Sequence, residues 1–416
     1  MAAETASFAP PSSRAEDALA SFVEPVSNPR LYKESHHKFR AKVRAFCDKE
    51  IRPYIDDWEE EGTYPSDLHK KAYEAGVYAA VWPEEYGGTP PEGGLDAFHD
   101  LIFFDEVARL GSGGLMASCF ISHGIALPPV IAAGSPEMKE KVARPVITGE
   151  KLMALCISEP WVGSDVASLR SSAVRDGDHY VVNGAKKWIT GGIKADYYTV
   201  AVRTGGPGIG GISLLLIERN TPGISVRRMK TQGWWVSNTA YIEFNDVRVP
   251  AKNLIGAENK GFQLIMENFN HERWGLAVTS IRYARLCLEA ALSHASTRKT
   301  FGKRLIEHQV IRHKCAEMKR QIEMTHALME QVTEQMNANV PQKELGGQIA
   351  LMKVAATRTF ELCAREASQV FGGNSYIREG KGAIVERLYR EVRVQAIGGG
   401  SEEIMYDLWA RGLSKL

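Results

Sequence analysis

The chain has 416 residues, 44% of them hydrophobic and 24% charged, which excludes wholesale disorder and suits a large core spread over two or three domains. A formal net charge of +1 leaves no global electrostatic footprint for nucleic acid or an anionic membrane surface. Six scattered cysteines (Cys47, Cys119, Cys156, Cys287, Cys315, Cys363) lack C-x-x-C spacing and fit buried thiols in a reducing compartment; no apolar run of spanning length is apparent, so membrane insertion is not expected.

Residues 1–28 are rich in Ala, Ser and Pro. They carry Glu4, Glu16, Asp17 and Glu24 against a single Arg14, which is unlike a basic, acid-poor mitochondrial presequence. A loosely ordered leader is expected there. Residues 29–152 read as a helical domain: Phe39, Val43, Phe46 and Ile51 recur near a 3.6 period, and another helical stretch covers 95–110. Between 153 and 258 the pattern becomes short β-branched and aromatic runs punctuated by Asp176-Gly177, Pro207-Gly208 and Pro222-Gly223, as in an antiparallel β domain. Residues 259–413 turn helical again, with amphipathic segments at 261–296, 305–337, 343–371 and 402–412. The last three residues, Ser414-Lys415-Leu416, spell a peroxisomal address when terminal.

Several motifs bear on chemistry. Gly206, Gly208 and Gly211 match G-x-G-x-x-G, but a strand-like ISLLLIE comes next where a dinucleotide fold needs a helix, so a hairpin connection is expected. On the helix beginning near Gly261, the apolar stripe Phe262, Ile265, Met266, Phe269, Leu276, Ser280 and Ala284 is broken by Glu272 and Arg273. A carboxylate in such a stripe must be paired or carry a raised pKa, so this is either a structural ion pair or a functional acid. Arg298 to Lys303 closes that helix with basic residues, either complementing its dipole or meeting a phosphate. Gln369 to Asn374 holds the glycine pair usual at a helix end. Gly398, Gly399 and Gly400 precede a helix start with Ser401 as cap, an arrangement whose free N–H groups suit an anion or a developing oxyanion.

Together these segments resemble the acyl-CoA dehydrogenase family. Ser158-Glu159-Pro160 with Gly163-Ser164-Asp165 resembles its T/S-E-P-x-x-G-S-D signature; Lys187 to Thr190, Arg298 to Gly302 and Gln369 to Asn374 look like its later flavin-contacting segments. The resemblance runs from about residue 32 to 412. It implies an α+β fold: an N-terminal helical domain, a central antiparallel β domain and a C-terminal four-helix bundle, with FAD between the last two. Cys156, Ile157, Ser158, Gly163, Ser164, Trp188, Ile189, Thr190, Ser401 and Glu403 would contact the subunit's own flavin, whereas Arg298, Phe301, Gln309, Gln369, Gly372 and Gly373 match positions reaching a neighbour's. A homo-oligomer is implied, a dimer of dimers (homotetramer) by the family's habit.

The implied activity is α,β-dehydrogenation of an acyl-CoA thioester to a trans-2-enoyl-CoA, as in fatty-acid β-oxidation. A carboxylate in an apolar pocket removes the α-proton, and donors meet the thioester oxygen. Many members carry that carboxylate in a loop at the position of Gly399 here; the isovaleryl-CoA and long-chain branches carry it on the bundle helix before an arginine, which Glu272-Arg273 matches. Glu272 is therefore the expected base and the Gly399 N–H the expected oxyanion donor, with Ser164, Phe269, Asn270, Arg273 and Gly400 lining the substrate. Trp161 and the Trp234-Trp235 pair depart from the family pattern and are expected to reshape the acyl or CoA tunnel mouth. The electron acceptor is open between an electron-transferring flavoprotein and O2, the latter as in acyl-CoA oxidases; a non-catalytic flavin-binding member is the remaining alternative.

Overall fold

The structure is a computed structural model describing Leu19 and residues 22–411. The tripeptide 414–416 and most of the expected leader lie outside the described residues. The end of that leader is docked: Val23 is buried, Glu24 pairs with Arg282 and Arg285, and the Asn28 N–H donates to Glu330 at 3.1 Å.

Helices α1 (Glu34–Glu50) and α2 (Ala97–Ala108) open the chain's helical part. Asp96 caps α2, accepting from the Phe98 and His99 N–H groups at 3.1 and 3.2 Å. Lys33 and His36 converge on the same carboxylate at 3.0 and 2.8 Å, so the cluster of His36, Asp96 and His99 is a saturated cap with an ammonium in it. A π-helical turn, Met116–Ile121, and α3 (Pro136–Ile147) complete this part. One helical run, Gly113–Ala133, is apolar and long enough to span a bilayer, which corrects the expectation that no such run exists. Two thirds of its most apolar window is buried within the protein, so its apolar surface already has a partner.

Strands β1 (Met153–Cys156), β2 (Ser172–Asp176), β3 (His179–Ile189), β4 (Tyr197–Arg203), β5 (Ile212–Glu218), β6 (Ile224–Arg228), β7 (Ala240–Pro250) and β8 (Leu254–Ile255) form one sheet. The order β6-β7-β3-β2-β4-β5-β8 has β1 beside β4. Pairings are antiparallel except β1 with β4 and the single Ser172–Arg203 contact of β2 with β4. These parallel contacts arise because β1 enters from the helical part and β2–β3 intervenes as a hairpin before β4 returns. Gly206, Gly208 and Gly211 lie in the β4–β5 hairpin as expected, where Arg203 binds the Gly206 and Gly208 carbonyls at 2.6 and 3.1 Å.

The C-terminal part holds α4 (Gly261–Thr297), α5 (Gln309–Asn337), α6 (Gln342–Phe371), α7 (Ala383–Ile397) and the short α8 (Glu402–Ala410). The bundle's fourth long helix is thus α7, which periodicity alone missed; the segment expected there is the short α8. One hydrophobic core runs from Phe39 and Val43 of α1 through Phe98 and Ile102 of α2 to Trp274, Tyr283 and Phe360. A second joins Val130, Val142 and Ile147 to Leu214 and Ile265, which seats the start of α4 between the sheet and the first helices. All six cysteines are buried free thiols.

Candidate active site

Glu272 sits at the turn where α4 passes from half-buried to fully enclosed: Phe269 and Asn270 precede it at intermediate exposure, and Trp274, Ala277 and Val278 after it are buried. Among the described residues nothing donates a hydrogen bond to its carboxylate. Burial pushes its pKa above the ordinary range, and the nearby charges of Arg273, Lys353 and His271 pull it back. The structural ion pair left open by the sequence is not formed. Arg273 turns instead to the Gly399 carbonyl at 2.9 Å and to Asn270 Oδ1 at 3.1 Å.

The glycine loop is built from its carbonyls outward. Lys353 of α6, fully buried, donates to the Ala396 carbonyl at 2.6 Å and the Gly400 carbonyl at 2.8 Å. Burial brings this ammonium down to about 8. With three carbonyls tied by two cations, the N–H groups of Gly399 and Gly400 have no partner among the described residues. Gly399 has φ +66°, and a Cβ there would stand 2.8 Å from Leu276 Cδ1 and 3.6 Å from Arg273 Cγ, so the loop lies directly on the turn just after the acid. Ser401 takes the N-cap backbone conformation of α8 but its hydroxyl does not cap, a correction to the expectation. Glu402 pairs with Arg358 at 2.8 Å, and Glu403 is exposed.

A second group assembles on the sheet. Cys156 and Ile157 are buried at the end of β1, and the Lys187 N–H donates to the Ser158 carbonyl at 2.9 Å, which places Ser158 beside Trp188. A register shift between Lys186 and Ile189 against β7 throws Trp188 into a left-handed conformation, φ +62°, with half its surface exposed. A side chain held left-handed at a bulge is strained, and here it leaves an aromatic face open to solvent. Ile189 is buried, and the Thr190 carbonyl accepts from Ser122 Oγ at 3.0 Å. Gly163 faces open space and Ser164 is exposed. Sequence reasoning missed the residues that hold this ledge: Glu159 and Lys186, both without exposed side-chain surface, pair at 2.8 Å. Glu159 also accepts from the Arg170 and Ser171 N–H groups at 2.7 and 2.9 Å. The glutamate inside the S-E-P signature was the available signal.

The third group stands elsewhere. Arg298, Phe301, Gln309, Gln369, Gly372 and Gly373 are all exposed at the far end of the bundle, where Phe371 stacks on His294 at 4.3 Å. Phe301 is 97% exposed at φ +48°, and added Cβ atoms at Gly302, Gly372 and Gly373 would meet nothing. From Glu272 to Arg298 a straight helix spans about 39 Å, too far for one bound molecule to join the two groups within one chain.

The tryptophan departures are only partly at a mouth. Trp161 is half-exposed with Arg170 5.8 Å from its ring centre. Trp234 packs on the backbone of Gly113 and Gly114, and Trp235 lies between Arg390 at 3.9 Å and Arg378 at 4.8 Å. This pair docks the loop before β7 onto the helices. Beneath it Glu391 accepts from the Gly113 N–H at 2.9 Å and Ser112 donates to Glu59, both carboxyls buried.

This topology and its three motif groups define a three-domain flavoprotein dehydrogenase. Models of the acyl-CoA dehydrogenase N-terminal, middle and C-terminal domains match residues 33–150, 154–247 and 259–414. The chain belongs to the acyl-CoA dehydrogenase family. It is 43% identical over 407 residues to the acyl-CoA dehydrogenase AFT10-1 of Alternaria alternata, covering 93% of this chain and 94% of that one. It is 32% identical to the mitochondrial isobutyryl-CoA dehydrogenase of Bos taurus, covering 91% and 89%. The acyl-CoA dehydrogenase structure from Geobacillus kaustophilus superposes with a TM-score of 0.87 at 34% identity, covering 93% and 100%. A glutaryl-CoA dehydrogenase from Mycobacterium smegmatis in complex with FADH2 superposes at 0.84 with 25% identity, covering 94% and 97%. The protein is an FAD-dependent oxidoreductase acting on acyl-CoA.

Proposed function

We propose that Glu272 is the general base of an acyl-CoA α,β-dehydrogenation and that the N–H groups of Gly399 and Gly400 receive the thioester oxygen. The observation that carries this is one half-buried carboxylate without a hydrogen bond, on a turn packed against a loop whose N–H groups are free. A carboxylate held above its ordinary pKa is a stronger base toward a weakly acidic α-proton, and the charges of Arg273, Lys353 and His271 favour its ionised form. Arg273 and Lys353 also fix the loop carbonyls, so its N–H groups meet developing charge without reorganising. FAD, when bound, supplies the hydride acceptor for the β-carbon. The Ser158–Trp188 ledge, open at Gly163, would hold its ring. Arg298, Phe301, Gln309, Gln369, Gly372 and Gly373 reach the flavin of a second copy, so cofactor retention requires at least a dimer, with a dimer of dimers the family habit. Ser401 and Glu403 lie with the subunit's own flavin, and Ser164, Phe269 and Asn270 with the substrate.

Anaerobic bleaching of the flavin tests this reading. The relatives' names put isobutyryl-CoA and butyryl-CoA first on a panel extended to longer chains. Glu272→Gln should load FAD and reduce it roughly a hundredfold or more slowly. Near-wild-type reduction by that variant would falsify the assignment. Size measurement with and without FAD tests the dimer. Ser414-Lys415-Leu416, read as a terminal address, favours a peroxisomal setting and β-oxidation-type chemistry there. That setting favours O2 over an electron-transferring flavoprotein as acceptor; peroxide release in air without added acceptor distinguishes them.

A further inference from the structure

His271, the residue before Glu272, is bound across the domain boundary. Its Nε2 lies 2.5 Å from Asp100 Oδ2 on α2, a contact between residues 171 positions apart. Its ring stacks on Trp274 at 5.6 Å between centroids and meets Phe104 of α2 edge-on at 6.0 Å. Trp274 is fully buried, its indole N–H donating to Thr333 of α5 at 3.0 Å. The imidazole is therefore clamped between an acid and an aromatic wall that is fixed in turn. Whatever fixes residue 271 fixes the turn that aims residue 272.

The ring's surroundings also favour the proton. Burial disfavours its proton, but Asp100 outweighs that and Glu272 adds to it, so its pKa stands above the ordinary histidine range. The charged groups facing this turn are Asp100 from α2, Glu272 and Arg273 on α4, and Lys353 from α6, itself flanked by Glu402 and Glu403 of α8. Of the three basic groups near Glu272 among the described residues, Lys353 and Arg273 spend hydrogen bonds on the glycine loop; His271 spends its own on α2.

Resting on the reading of Glu272 as base, we propose that His271 and Asp100 form a positioning pair for it. They anchor the base-bearing turn to the N-terminal helices and hold an imidazolium beside the carboxylate, which extends its ionised range downward in pH. Because the ring is partly exposed, water screens the effect, which is expected to be modest.

The test is the pH profile of anaerobic flavin reduction, between about pH 6 and pH 9, with whichever acyl-CoA of the graded panel bleaches wild type fastest. His271→Gln should move the acidic limb to higher pH, a several-fold loss near pH 6 that shrinks toward pH 9. Asp100→Asn should move it the same way by less, since the ring then loses the acceptor that keeps it protonated. His271→Arg, which keeps the charge facing Asp100, should restore the limb. Wild-type limbs in both His271→Gln and Asp100→Asn overturn the proposal, as does a His271→Arg limb displaced as far as that of His271→Gln. Loss of flavin loading in both also overturns it, because the pair is then a fold anchor alone. Glu272→Gln run beside them separates the two levels: if it reduces flavin normally, the base assignment fails, whatever the histidine does.

Discussion

Along α4, two acids stand in opposite surroundings. Toward the far end, Asp105 of α2 is buried and saturated: Arg282 donates at 2.8 Å, Arg40 at 2.9 Å, and Arg285 closes the cluster with Glu24 joining from the leader. Burial opposes its charge, yet the arginines hold its carboxyl far below the usual range. Toward the start, Asp100 takes one imidazole, and Glu272 next to that imidazole accepts nothing, so burial raises it. An acid surrounded by guanidinium groups locks two helices together. An acid left short of donors keeps its reactivity.

The largest effect should come from the saturated end. Asp105→Ala strands Arg282 and Arg285 in the core; breaking such a cluster costs about 3–5 kcal/mol, read as a lowered thermal midpoint of the flavin-loaded protein. Glu272→Gln, which removes no bond, should leave that midpoint within about 0.5 kcal/mol of wild type while reduction falls. If both variants unfold alike, the contrast between the two acids is wrong.

Next comes Gly399→Ala. A left-handed backbone costs a side chain about 1–2 kcal/mol, and here the new methyl also presses on Leu276. Stability and flavin reduction should fall together, whereas an open loop would lose neither.

The smallest effect is a slope. Burial and the neighbouring Glu59 bring Glu391 up to about 8 from an ordinary 4.5. Folded protein thus keeps a proton that the unfolded chain releases, so this contribution is full below about pH 4.5, declines as pH rises, and is gone above about pH 8. Glu391→Gln should flatten that part of a stability-versus-pH curve measured by denaturant unfolding.

How much of this was legible in the sequence depends on the range of each interaction. Helix, strand, helix order was readable because period 3.6 and period 2 are local, and the β4–β5 glycines were placed by the strand-like run after them. Glu272 was visible as a charge in an apolar stripe, and Gly399 as the vacated alternative. Helix α7 was not, because AIVERLYREVRVQAI alternates charges with apolar residues and starts from a glycine turn with no N-cap side chain. The docking of Val23 and Glu24, the Glu159–Lys186 pair and the Asp100–His271 bridge escaped for another reason: each joins residues that no spacing rule links. The hidden role of Trp234-Trp235 belongs with them, since a departure from a pattern says where to look but not which way the ring turns.

Gly399 and Leu276 together make the position of the acid hard to revise. Grafting a glutamate onto the loop while deleting Glu272 would set its first carbon 2.8 Å from a leucine methyl, on a backbone that disfavours any side chain. An engineer, or a lineage, wishing to move the acid would have to trim Leu276 beforehand and accept a cavity beside Arg273. Residue 399, Leu276 and residue 272 would therefore have to change together.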